Sequence, residues 1–414
     1  MRSNPAPEVP EHMDIFDKHA GIEQRHRALL SIGGDPFAVR VDRILSATEA
    51  VIGGRRTILV GTNNYLGLTF DPACIEAGRR ALASDGTGTT GSRVANGTYG
   101  RHTDLEAAFA RFFNRRKAIV FTTGYQANLA TICGLAGPDD VILADADSHA
   151  SIWDGCKLSP AETVIFRHND PDHLDKRLTR LGDKGQCRLV IVEGLYSMLG
   201  DTAPLKEFVE VKKKHGAFLL VDEAHSFGVF GDHGRGVAEA QGVEADVDFI
   251  VGTFSKSLGA SGGFAVSDHP KFDLLRLASR PYMFTASPSP ATMASVAEAL
   301  RQIEARPELR TRIWANAEQL HTGLTDLGFT LLAPLSPVIA IRMPDEATAV
   351  MAWNRLIEAG VYVNLALPGG TPGGVCLLRC SVSAAHEPAQ IATVLGCFAE
   401  LASELDRRSK QDAA

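Results

Sequence analysis

No two cysteines of this chain form a C-x-x-C pair. The seven present, Cys74, Cys133, Cys156, Cys187, Cys376, Cys380 and Cys397, are scattered and odd in number. That excludes a zinc ribbon or a dithiol redox motif, and no metal site is expected. They read as small buried hydrophobes in a reducing compartment. A basic excess is also missing: 42 Lys and Arg stand against 49 Asp and Glu, a formal net charge of -7. Nucleic-acid proteins show the opposite bias, so no nucleic-acid partner is expected. No apolar run approaches the ~18 residues of a membrane-spanning helix. The start, "MRSNPAPEVPEHMD", is polar and Pro-rich and lacks the apolar core of a signal peptide. A soluble cytoplasmic protein is expected, a reading compatible with peripheral membrane contact. No internal repeat is present.

What remains is ordinary globular composition, 45% apolar and 22% charged over 414 residues, enough for two domains. Residues 1–12 read as a disordered tail, followed by an amphipathic helix ending at Gly33-Gly34. From Thr57 onward, short apolar runs alternate with helical stretches. The runs "AIVFTT", "DVILAD", "TVIFR", "RLVIVEG", "AFLLVDE", "DFIVGT" and "GGFAVS" are continuous rather than alternating. Continuous runs suit strands covered by helices on both faces, which predicts a mainly parallel α/β sheet. A long helical stretch from Ala291 is expected to break near Pro307. "SPVIAIRMP", "VYVNLALP" and "VCLLRCSVSA" then predict a smaller sheet, and the terminal "SKQDAA" should fray. The expected division is a tail and helix over 1–56, a large domain over 57–295 and a small domain over 296–414.

The run "AFLLVDEAHSFGVFG" raises a choice. An acidic pair at a strand end holds magnesium in helicase-type ATPases, whereas a strand-end Asp holds the ring nitrogen in pyridoxal phosphate enzymes. The ATPase needs G-x-x-x-x-G-K-[ST]. The nearest match is "GTGTTGSR", Gly86 to Arg93, with Ser92 in place of the phosphate-neutralising lysine. It also follows a helical stretch rather than a strand.

A pyridoxal phosphate site needs a lysine, an acid against the pyridine nitrogen, a stacking group and a phosphate cradle. "DFIVGTFSKSLGASGG" places Lys256 just past a strand end among Thr253, Ser255 and Ser257. Asp222 ends the "AFLLV" run, and His225 follows three residues later. "FTTGYQANL" puts Gly124 and Tyr125 at a helix start, where backbone N–H groups attract phosphate. "ILADADSHAS" puts His149 past another strand end, and "VEGLYSMLGD" does the same for Ser197. In open α/β sheets the ligand crevice lies beyond the carboxyl ends of the strands.

Together "TNNYLGLTFDP", "GTGTTGSRVANGTYGRHTDLE", "TTGYQANL", "DADSHASIWDGC", "VEGLYSMLGDTAPL", "VDEAHSFGVFGDHGRG" and "GTFSKSLGASGG" resemble the α-oxoamine synthases, which are fold-type I pyridoxal phosphate enzymes. "IFRHNDPDHLDKRL", "RPYMFTAS" and "LLRCSVSAAH" make the soluble bacterial serine palmitoyltransferases the most similar branch. The likeness runs from about residue 14 to 400. It implies a large domain with a mainly parallel sheet sandwiched by helices, a smaller α+β C-terminal domain, and a homodimer with shared active sites. It implies that Lys256 carries pyridoxal 5'-phosphate and acts as the base. Asp222 would meet the ring nitrogen, His225 the ring oxygen, and His149 the ring face. Ser197 would lie near the ring hydroxyl, and Gly124, Tyr125, Thr253 and Ser255 on the phosphate side. Thr285 would reach the partner subunit's phosphate, Asn64 would line the amino-acid pocket from the partner side, and Arg379 would hold the substrate carboxylate. The chain departs from the pattern at Leu367, where some serine palmitoyltransferases carry an arginine.

The implied reaction is decarboxylative condensation of L-serine with a long-chain acyl thioester, palmitoyl-CoA or an acyl-ACP. It gives 3-ketodihydrosphingosine, the first step of sphingolipid synthesis. Sister enzymes making 8-amino-7-oxononanoate, 2-amino-3-ketobutyrate or 5-aminolevulinate share these residues. A noncatalytic pyridoxal-binding subunit is a more distant alternative, against which the presence of Lys256 counts.

Overall fold

In a computed structural model the described residues are 14–35 and 39–412, so the expected N-terminal tail lies outside them. The first helix, α1 (Ala20–Ser31), buries none of its residues and stops at a turn carrying Gly33 at φ +81°. The stretch before residue 57 was expected to hold only a tail and a helix. It also holds strands β1 (Val41–Ile44) and β2 (Glu49–Ile52) and the start of β3 (Arg55–Leu59). Gly53 and Gly54 connect β2 to β3 at φ +55° and +76°, the doubly left-handed turn that a two-residue hairpin requires. These strands are four or five residues long and carry charges on their outer face, so their periodicity is too brief to stand out.

The seven apolar runs become one seven-stranded sheet: β4 (Lys117–Phe121), β5 (Val141–Asp145), β6 (Glu162–Phe166), β7 (Arg188–Glu193), β8 (Phe218–Asp222), β9 (Phe249–Thr253) and β10 (Gly263–Ser267). Its order is β4-β10-β9-β8-β7-β5-β6, and only β10 runs antiparallel to its neighbours. Successive residues enter opposite cores. Val141 and Leu143 of β5 join one, and Ile142 and Ala144 the other. The inner strands therefore read as unbroken apolar runs, because both faces are covered, while the edge strand β6 leaves Glu162 and Ile165 exposed. The helices α2 (Pro72–Asp85), α3 (Gly100–Phe112), α4 (Gly124–Leu135), α5 (Ala150–Leu158), α6 (Pro171–Leu181) and α7 (Leu205–His215) accompany these strands.

The "GTGTTGSR" segment proves structural. Arg93 donates to both carboxylate oxygens of Glu106, at 2.9 and 3.2 Å, and Arg276 does the same at 2.9 and 3.0 Å. Glu106 also accepts from Val120 N, so one buried carboxylate pins the loop, α3 and β4 together. Beneath the sheet's working edge, Phe109 stacks on Phe264 at 4.4 Å and on Phe254 at 5.4 Å. Gly262, at φ +142°, closes on this stack. A Cβ there would lie 2.2 Å from Phe254, so the turn joining β9 to β10 needs glycine.

The helical stretch from residue 290 does break, between Pro290–Ala305 and Glu308–Asp326. Strands β11 (Val338–Met343), β12 (Val361–Tyr362), β13 (Asn364–Ala366) and β14 (Cys376–Ser381) follow. "VYVNLALP", read as one strand, is split between two sheets. Its β12 half pairs parallel with β3, and its β13 half pairs with β14 in the order β11-β14-β13. The last helix, Pro388–Asp412, carries most of the segment expected to fray. Among the described residues, no helix is long and apolar enough to cross a membrane.

Candidate active site

The carboxyl ends of β4, β5, β7, β8 and β9 open on one cleft of about 670 Å³. The acidic pair of the β8 run divides there. Asp222, 4% exposed, lines the cleft. Its Oδ2 accepts from Asn128 Nδ2 at 2.7 Å and its Oδ1 from Ala224 N at 2.8 Å. Glu223 turns away, capping the backbone N–H groups of Val237 and Ala238 at 3.0 and 2.9 Å. The two acids therefore do not share one cation.

Lys256 lies half-buried in the same cleft. Burial lowers its ammonium pKa to about 8, although Asp222 and Glu193 pull the other way; Arg379 adds to the lowering. A lysine so placed offers a neutral amine near neutral pH.

His149 caps α5. Its Nδ1 accepts from Ser151 N at 3.2 Å, so Ser151 Oγ, 2.7 Å away, must donate to that nitrogen as well. The ring proton is left to Nε2. Asn128 Nδ2 donates to Ser151 Oγ at 2.9 Å as well as to Asp222, which links the acid and the histidine through two neutral side chains. Burial, followed by the charge of Lys256, holds His149 below the usual histidine range against the pull of Asp222. His225, also in the cleft, meets Tyr65 Oη at 2.7 Å. Burial, then Lys256 and Arg379, hold it well below that range.

Arg379 stands on β14 and is 5% exposed. It donates to Ser197 O at 2.6 Å, Ser381 Oγ at 2.8 Å and Asn63 Oδ1 at 3.2 Å. Every partner is a neutral oxygen, and among the described residues no carboxylate pairs with it. A buried guanidinium without a counter-ion suits an anionic ligand.

At the far side, Gly124 and Tyr125 open α4, so their backbone N–H groups have no intrahelical acceptor. The Tyr125 hydroxyl is committed to Asp154 of α5. Thr253 Oγ1 and Ser255 Oγ lie 2.9 Å apart beside that helix start. A Cβ on Gly124 would come within 2.6 Å of the Thr253 side chain, so the cradle depends on glycine at this point. A free lysine amine, a strand-end acid and an open helix N-terminus with hydroxyls at one cleft together fit pyridoxal phosphate.

The family model for Aminotransferase class I and II matches residues 55–398. The chain belongs to this family. It is 56% identical over 393 residues to a serine palmitoyltransferase of Caulobacter vibrioides, covering 95% of this chain and 97% of that one. A Sphingomonas paucimobilis serine palmitoyltransferase is 52% identical over 396 residues, covering 95% and 94%. A solved S. paucimobilis serine palmitoyltransferase with a bound PLP–myriocin aldimine has a TM-score of 0.93 at 51% identity, covering 95% of this chain and 100% of that one. The expected likeness to the serine palmitoyltransferase branch and the expected fold both hold.

Within this aminotransferase-family cleft the structure gathers Gly124, Tyr125, His149, Ser197, Asp222, His225, Thr253, Ser255, Lys256 and Arg379. It does not bring Asn64 or Thr285 to the cleft wall. Asn64 Nδ2 donates to Thr69 Oγ1 at 2.7 Å, and its buried Oδ1 has no partner. Thr285 Oγ1 accepts from Gln126 Nε2 at 3.1 Å. Sequence reasoning missed Asn63, Tyr65, Asn128, Ser151 and Glu193. Glu193 ends β7 as Asp222 ends β8, and the two pair in register, so the same strand-end signal was present. Leu367 packs against the core edge. Beside it, Arg25 of α1 donates to Pro368 O at 3.4 Å, and a Cβ on Gly369 would lie 2.6 Å from Arg25 Nη1. The glycine-rich loop thus leaves room for an arginine from the other end of the chain.

Behind the loop carrying His149, His168 bridges Asp145 Oδ1 and Asp201 Oδ2, each at 2.8 Å. Burial opposes its charge, but the two carboxylates outweigh burial and raise its pKa to about 10 from 6.5. A histidine raised on folding stabilises fully below its unfolded value and loses that contribution as pH climbs through the folded one. The His168 contribution therefore fades between 6.5 and about 10. Urea midpoints measured from pH 6 to 10 should decline less steeply in His168→Gln than in the parent. Identical slopes would show that the bridge does not titrate this way.

Proposed function

We propose that this chain is a pyridoxal 5'-phosphate-dependent acyltransferase that condenses L-serine with a long-chain acyl thioester. Carbon dioxide and the thiol are released, and 3-ketodihydrosphingosine is the product. The observation that carries the reading is the cleft-facing set of Lys256, Asp222 and the unpaired Arg379. Bound at this site, pyridoxal phosphate supplies an electron sink for the pair left at the amino acid's Cα.

The chain's own groups do the rest. Lys256, with its amine largely neutral above about pH 8, takes the Cα proton and later returns one. Asp222 holds the proton on the ring nitrogen. His149 would face the cofactor ring and offer Nε2–H to the serine carboxylate, and His225 and Ser197 would hold the ring oxygen. Arg379 holds the carboxylate until it leaves. Gly124, Tyr125, Thr253 and Ser255 hold the phosphate.

Asn64 and Thr285 serve the neighbouring subunit's site in a homodimer. The exposed surface beside Thr285 supports this: Phe284 is 70% exposed, with the Arg280 guanidinium 5.2 Å from its ring. The same reading divides the chain into a large cofactor domain over 57–295 and a small domain over 296–414, places it in the cytoplasm, and allows the membrane-bound product to be delivered by peripheral contact.

Product mass spectrometry tests the activity. The holoenzyme is supplied with serine, alanine or glycine and with acyl-CoA or acyl-ACP thioesters of graded length. Serine with a long-chain thioester should give the 3-keto amino alcohol and one carbon dioxide. Products from alanine or glycine alone would assign one of the sister activities instead.

A further inference from the structure

Glu193 takes no part in the reaction above, although it is the acid that ends β7. It is 3% exposed and lines the cleft beside Asp222, its register partner. A carboxyl in that position is costly. Burial first, then the charge of Asp222, push its pKa well above the carboxylate range, against the His149 N–H and Lys256. Buried acids kept at such cost have a partner that explains them. Here the partner is one backbone group: Glu193 Oε1 accepts from His149 N at 2.5 Å. That N–H belongs to the residue capping α5, one of the groups a helix start leaves without an intrahelical acceptor. The ring of His149 is already fixed through Nδ1 by Ser151. Glu193 fixes the other end of the same residue, its main chain, to a core strand.

We propose that Glu193 is a positioning residue, tying the His149 backbone to the end of β7 so that the imidazole stands over the cleft. This rests on the reading of His149 as the group facing the cofactor ring. The role needs an acceptor oxygen and not a negative charge, so glutamine should serve and alanine should not.

Three measurements test it. In the cofactor-free protein, hydrogen exchange of the His149 amide should quicken at least ~10-fold in Glu193→Ala and stay within ~2-fold of the parent in Glu193→Gln, as expected for loss or retention of one amide's acceptor. In the holoenzyme, kcat/KM for serine should fall ~10–100-fold in the alanine variant and little in the glutamine variant, the scale of a sub-ångström misplacement. In a His149→Ala background, adding Glu193→Ala should cost no more than ~2-fold further, because the effect passes through His149. Unchanged exchange in the alanine variant, equal losses in both variants, or a full additional loss without His149 would each overturn the proposal. The exchange arm does not depend on the reaction. Quickened exchange in a protein that fails to turn over serine would uphold the tether and remove only the assigned activity.

Discussion

Lys256→Ala should abolish condensation, with kcat down by at least ~10⁴-fold, while the fold survives. General acid–base catalysis alone accounts for ~10²–10⁴, and this side chain also tethers the cofactor in the proposed mechanism. Survival of the fold follows from electrostatics. The Lys256 pKa is lowered from 10.5 to about 8 by burial, so its charged form is disfavoured in the folded chain. The unfolded chain binds more protons between those values, so the lysine's burden on stability is heaviest below about pH 8 and lifts as pH rises. Removing the amine relieves that burden, and the melting temperature at pH 7 should match or exceed that of the parent. Product formed by the variant at the parental rate would mean that another group is the base.

Asp222→Asn is the second large effect, a loss of ~10²–10⁴ in kcat, because a carboxamide cannot hold the ring nitrogen in its protonated, electron-accepting state. The substitution conserves shape but not hydrogen bonding. Both Asp222 oxygens accept, from Asn128 Nδ2 and from Ala224 N. Asparagine offers one acceptor, so its NH2 must face another donor. The variant should therefore show a rearranged cofactor absorption band as well as slow turnover. Steady-state kinetics indistinguishable from the parent would remove Asp222 from the ring nitrogen.

The central sheet was legible because its strands other than the edge strand β6 are covered on two faces and read as continuous apolar runs. "AIVFTT" and "DVILAD" already marked β4 and β5. The N-terminal hairpin was not, since β1 has no buried residue and β2 buries only alternate ones. The split of "VYVNLALP" could not be read either, because only Val363 separates residues that pair with β3 from residues that pair with β14. For the site, motif residues at strand ends were visible one by one. The residues that support them were not: Asn128 lies inside α4 and Ser151 in the first turn of α5, and each looks like any small polar residue. The adjacent Asn63 and Asn64 differ only in which of them the backbone turns toward Arg379.

Arg379 belongs to the three-stranded sheet, whereas Asp222 ends a strand of the seven-stranded one and Lys256 follows the end of β9, and the bond from Arg379 Nε to Ser197 O, in the loop after β7, staples the two. If serine's amino end is gripped from one sheet and its acidic end from the other, the gap between sheets works as a caliper. An amino acid with one extra backbone carbon would have to pry the staple open to fit. The cleft then gauges the distance between a substrate's two charged ends more strictly than the identity of what hangs between them.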